Sequence, residues 1–181
     1  MVKKSKSRKT KIYKAVKYSN ETSVSSFSFW CDYSNGQPTG KHVLDNIVLL
    51  IPATSIQGMR KAKNFTLRMT TNAVNPMLFA LVYVPEGTHP SKITVDSGPA
   101  DTPFSHITSS DLYNPNQNVI MSGEIVANMQ NNFKTRLARN LNSADSVCLV
   151  IKSQFPETVD PEVNRVEYKI NIILNYAITF N

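Results

Sequence analysis

The chain has 181 residues, 41% of them hydrophobic, with two cysteines and a formal net charge of +7. That length suits one well-buried core and is too short for two. Two cysteines far apart, Cys31 and Cys148, form neither a disulfide framework nor a metal-ligand cluster and read as half-buried thiols.

Charge is concentrated at the start. Eight of the twenty Lys and Arg residues are Lys3, Lys4, Lys6, Arg8, Lys9, Lys11, Lys14 and Lys17, and the first carboxylate is Glu21. The rest of the chain holds twelve basic and thirteen acidic residues, so a cationic arm precedes a near-neutral body. Residues 1–20 carry too few apolar side chains to offset the entropy of ordering, which predicts a disordered arm. The body, 21–181, is then the folded domain. The basic start is not followed by the apolar stretch of a secretory signal, and no run approaches a membrane span, so a soluble protein made in the cytosol is expected, with no membrane partner. The sequons at Asn20 and Asn64 carry no functional weight without a secretory route.

Beyond the arm the periodicity is that of strands. Thr22 to Trp30 alternates, with Val24, Phe27 and Phe29 among serines, and Ile47 to Ile51 is a short apolar run closed by Pro52. Thr54 to Lys61 is a weak helix candidate. Asn64 to Thr71 sets Phe65, Leu67 and Met69 on one face. Met77 to Val84 follows, and the short connection Asn72 to Pro76 predicts that these two strands pair. From Pro85 to Pro115, prolines and glycines interrupt every candidate element, which reads as long loops. Strands resume at Asn118 to Ile125, Phe133 to Leu137, Ser146 to Lys152 and Val166 to Phe180. The last puts Ile170, Ile172, Leu174, Tyr176, Ile178 and Phe180 on one face, an alternation too long for a helix to imitate. Eight strands, little helix and Pro-rich connections predict an all-β fold, a single eight-stranded antiparallel jelly roll, or β-sandwich.

No catalytic constellation is present. His42, His89 and His106 sit in separate segments without a partner at zinc-ligand spacing, there is no nucleophile elbow or phosphate-cradling glycine loop, and loop carboxylates read as solvated. Neither an enzyme activity nor a metal or other cofactor is expected. The arm is different, because dense Lys and Arg release counterions from phosphates and give strong, salt-sensitive, sequence-independent binding to nucleic acid. Tyr13 and Tyr18, interleaved with Lys11, Lys14 and Lys17, add rings that stack on unpaired bases. Lys3 to Lys9 also has the composition of a nuclear-import signal. A second cluster, Arg60, Lys61 and Lys63, lies just before a predicted strand, and Lys134, Arg136 and Arg139 lie along another. Either would extend the phosphate-binding surface if it shared a side with the arm.

Asp45 to Ala53 (DNIVLLIPA), Gln57 to Lys63 (QGMRKAK), Ala80 to Ile93 (ALVYVPEGTHPSKI), Leu112 to Gly123 (LYNPNQNVIMSG) and Leu137 to Ile151 (LARNLNSADSVCLVI) together resemble capsid proteins of circular Rep-encoding single-stranded DNA viruses, the circovirus-like group. The resemblance runs from Val43 to the C-terminus, with YVPEG, LY-x-PNQ and ARNLNS its more specific parts. It implies a jelly roll whose sixty copies close a T=1 icosahedral shell around single-stranded DNA, with the basic N-terminus inward, in the virion and, during assembly, the host nucleus. Two departures stand out: the arm is shorter and richer in Lys than in many relatives, and Asn114 stands where Glu is expected. The competing expectation is a single-stranded nucleic-acid-binding module or chaperone that uses the same arm without forming a shell.

Overall fold

Residues that alternate between oil and water along an extended chain can bury one side only by stacking two sheets. The computed structural model describes residues 17–43, 47–88, 118–152 and 155–180, and there it shows nine strands and no helix. They are β1 (Ser19–Ser34), β2 (Gln37–Val43), β3 (Ile47–Ile51), β4 (Arg60–Thr71), β5 (Met77–Val84), β6 (Asn118–Ile125), β7 (Gln130–Leu141), β8 (Ser146–Lys152) and β9 (Arg165–Phe180). All pairings are antiparallel. One sheet runs β2-β1-β9-β4-β7 and the other β3-β8-β5-β6. The chain is therefore all-β, in two antiparallel sheets.

The core lies between the sheets. Phe29, Phe65, Leu67, Met69, Ile170, Ile172 and Leu174 come from the five-stranded sheet and meet Met77, Phe79, Leu81, Leu149 and Ile151 from the other. β9, central in its sheet, buries Tyr168 through Ile178 at every second position. Its partner faces explain that placement, since Phe27 pairs with Ile170 on one side and Leu67 with Leu174 on the other. Phe155 anchors the segment before β9, stacking on Tyr168 at 5.0 Å and meeting Phe29 edge-on at 5.5 Å.

Several expectations need correction. The additional strand is β2, which Pro38 and Gly40 disguise; among the described residues it pairs with β1 alone and forms the sheet edge, where a missing N–H is tolerated. The Asn35-Gly36 turn before it has φ of 51° and 77°, the left-handed pair that a two-residue hairpin needs. β4 and β5 do not pair. The chain crosses between sheets at residues 72–76, and β4 lies between β9 and β7 while β5 lies between β8 and β6. β5 is apolar on both faces, with Ala80, Val82 and Val84 buried in a second cluster with Cys148 and Val150, whereas β4 has a polar outer face. Two strands with such different outer surroundings belong to different sheets.

The stretch from Thr54 to Lys61 is not helical. Gly58 has φ of 127°, the Thr54 amide donates to the Ser143 carbonyl, and Arg60 already pairs with Leu141 and Phe180. Val24 faces solvent, since its even position falls opposite Phe27 and Phe29. Phe180 keeps the inward parity of β9 but lies at the sheet end and stays exposed. Both cysteines are fully buried, not half-buried. The predicted loops are described only through Thr88, where the Thr88 amide donates to the Pro85 carbonyl; the remainder of Pro85 to Pro115 lies outside the described residues.

Candidate nucleic-acid interface

Of the predicted phosphate-binding residues, Lys3, Lys4, Lys6, Arg8, Lys9, Lys11 and Lys14 lie outside the described residues, as does Tyr13. Lys17 and Tyr18 are described and sit immediately before β1. Ser19, the first residue of β1, pairs with Ile178, and across β9 the same residue pairs with Ala62. The root of the arm thus lies two strands from the second basic cluster.

Within that cluster the structure separates Arg60 from its neighbours. Arg60 is 4% exposed, and its guanidinium donates to the carbonyl oxygens of Pro52 at 2.8 Å and Asp145 at 2.8 Å, with a longer bond to Asn142. It ties the β3–β4 connection to the β7–β8 turn and is withdrawn from any phosphate-binding set. Lys61 and Lys63 face the other way, onto the outer surface of the five-stranded sheet.

A single backbone feature accounts for this. Lys61 and Lys63 share odd numbering with Phe65, Leu67 and Met69, all fully buried, so simple alternation would direct them into the core. Asn64 has φ of 56°, and the register shifts between Lys63 and the residues beyond it in both flanking pairings. This bulge reverses the parity of β4. On its near side Ala62 is buried and the two lysines face out; on its far side Phe65 is buried and Thr66 and Arg68 face out. Asparagine tolerates the left-handed backbone that the reversal requires.

The neighbouring edge strand adds to the same face. Thr66 pairs with Lys134, and Arg68 with Asn132, so Lys134 and Arg136, both exposed, share the outer surface with Lys61, Lys63 and Arg68. Arg139 has the opposite parity and donates to the Val119 carbonyl at 3.2 Å, so it is not part of this row. Across β9 and β1 the face continues through Asn171, Ile173 and Asn175 and through Thr22, Val24, Ser26 and Ser28. Thr22 donates to the Asn175 side chain at 2.7 Å. Among the described outward positions of β1, β9, β4 and β7, no carboxylate occurs between the arm root and the level of Lys169. Glu21 is turned to the other side, where it accepts from the Tyr176 hydroxyl at 3.0 Å; burial, with that bond second, pushes Tyr176 up to about 12. Glu167 and Asp32 lie at the far end, paired with Lys169 at 3.8 Å and Arg165 at 2.7 Å.

One half of this sheet face therefore carries five cations, and the other half hydroxyls, amides and two bare aliphatic side chains. Such a surface suits a polyanion, with phosphates on the cations and no fixed register imposed by base-specific donors. Among the described residues no three His, Cys, Asp or Glu side chains are grouped to hold a metal ion. Sequence reasoning missed the convergence of the Lys61/Lys63 and Lys134/Arg136 pairs, because the parity reversal at Asn64 does not show in residue spacing; it also passed over Arg68, whose outward aim follows from the alternation of Phe65, Leu67 and Met69. No protein-family model matches this chain, and no curated protein shows significant similarity to it.

Proposed function

We propose that this chain is the subunit of a self-assembling viral shell, a capsid protein of the circovirus-like single-stranded DNA group, which packages single-stranded DNA. The observation that carries the reading is the cationic half of the outer face of the five-stranded sheet, which among the described residues holds no carboxylate between the arm root and the level of Lys169, continuous with the root of a basic arm, on a body otherwise near neutrality. In the shell this face fronts the genome. The strand order supports a single jelly roll: leaving aside the edge strand β2, the sheets interleave as β1-β9-β4-β7 and β3-β8-β5-β6, the arrangement produced by folding a long antiparallel hairpin over on itself. The segment resemblance points to the same family.

Charge arithmetic fits the assignment. Eight arm cations in about sixty copies neutralise roughly 480 phosphates, and the five sheet cations raise this to roughly 780. A genome of about a thousand nucleotides is then mostly neutralised by protein and a longer one only in part, which makes packaging salt-sensitive. Import through Lys3 to Lys9 would bring the subunit to the nucleus for assembly.

Sizing and negative-stain microscopy of the full chain test the shell. Uniform spheres about twenty nanometres across, with sixty subunits of 20.2 kDa giving about 1.2 MDa, are the expected result. A stable species of a few tens of kilodaltons that still binds single strands would replace the shell with a free-standing nucleic-acid-binding module.

A further inference from the structure

The contact between Lys63 and Tyr18 is unlike the rest of the cationic face. The Lys63 ammonium sits 3.6 Å from the centroid of the Tyr18 ring, a cation–π pair. Lys63 comes from β4 and Tyr18 from the residue preceding β1, with β9 between their strands. The pair thus bridges the arm root to the cation row. Lys61 lies one outward position further along β4, paired with Thr179 beside the Ile178–Ser19 pair. Among the described residues no carboxylate competes for the Lys63 charge on this part of the face.

We propose that Tyr18 and Lys63 form a nucleotide subsite selective for unpaired bases. A base stacks on the Tyr18 ring in place of the ammonium, and Lys63, moving off the ring by side-chain rotation alone, pairs with the adjoining phosphate while Lys61 takes the next one. The exchange is favourable because a charge-assisted phosphate contact is stronger than an exposed cation–π contact, and the ring regains a π partner. A duplex cannot use the subsite, since its bases are already stacked and paired, whereas any single strand can, because every base has a π face. An acidic peptide would pair with the lysines but has no use for the ring. The inference rests on the reading of this sheet face as a nucleic-acid surface and names what makes it prefer single strands.

The test uses the full chain and two labelled probes, a twenty-nucleotide oligothymidine and a duplex of equal length, titrated by fluorescence anisotropy at several salt concentrations. Tyr18→Leu is expected to weaken oligothymidine binding roughly fivefold or more while leaving duplex affinity and both salt slopes unchanged, and Tyr18→Phe should bind as the parent does. Lys63→Gln is expected to reduce the single-strand salt slope by about 0.7. Equal weakening of single strand and duplex by Tyr18→Leu would overturn the subsite and make Tyr18 a fastener of the arm. So would an unchanged preference for single strands. Lys134→Gln with Arg136→Gln separates the two levels of the argument. If that double variant weakens both probes and Tyr18→Leu alters neither, the subsite fails and the cationic face stands. If the double variant has no effect, the face itself fails.

Discussion

Removing the Asp145 carboxylate would take the acceptor away from three donors at once. It is 1% exposed and accepts from the Asn142 amide at 2.6 Å, the Tyr83 hydroxyl at 2.7 Å and the Glu86 amide at 2.9 Å, with the Arg60 guanidinium bound to its backbone carbonyl. Burial alone would push this carboxyl up, but the bonds from Tyr83, Asn142 and Glu86 and the Arg60 charge outweigh burial and hold it below its ordinary value. A depressed pKa in the folded state means stability that is present above the unfolded pKa, near 4, and lost as pH falls through the folded value. Asp145→Ala is therefore expected to cost about 3 kcal/mol at pH 7, with the gap from the parent narrowing in urea melts taken progressively below pH 4. Tyr83 has the opposite sign: burial first, then the bond to Asp145, raises its hydroxyl to about 12, so its contribution is complete below pH 10 and is lost as pH rises toward 12. Gly36 is constrained sterically. Its φ is 77° and an added Cβ would lie 2.6 Å from the Val159 carbonyl oxygen, which accepts no such approach while the Val159 amide is bonded to the Gly36 carbonyl. Gly36→Ala should lower stability by about 1–3 kcal/mol, read as a shift of the urea midpoint at constant m-value.

At the scale of elements, β4 decides whether the body has a cationic face at all. Asn64→Val places a β-branched residue at positive φ, and the expected loss is about 1–2 kcal/mol in urea melts, whereas Asn64→Gly should be close to neutral. Strand existence was largely legible from sequence, because alternation over segments such as Val166 to Phe180 has one physical interpretation. What escaped were the features that break alternation or depend on sheet membership. β2 was hidden by Pro38, although Asn35-Gly36 is a strong hairpin signal that would have found it. The short connection between β4 and β5 suggests that they pair, yet the unbroken apolar run of β5 marks a strand covered on both faces. The outward aim of Lys61 and Lys63 was not legible, since their spacing from Phe65 and Leu67 gives the wrong face until the bulge is seen. Arg60 looked like its basic neighbours in sequence, and only the carbonyls around it reveal a structural part.

For the whole molecule, on the function proposed above, the body forms the wall and two cationic regions, arm and sheet face, hold the polyanion. The body contribution is separable in the full chain. Replacing Arg68, Lys134 and Arg136 with Gln should weaken binding to all single-stranded sequences alike and reduce the salt slope by about 2, with the strand content seen by circular dichroism unchanged. The most direct measurement is photo-cross-linking of single-stranded DNA to the full-length protein, with the attached peptides mapped by mass spectrometry. Cross-links on the outer faces of β4 and β7 and at Tyr18 are the predicted result. Cross-links confined to β5 and β8, with none on β4 or β7, would contradict it.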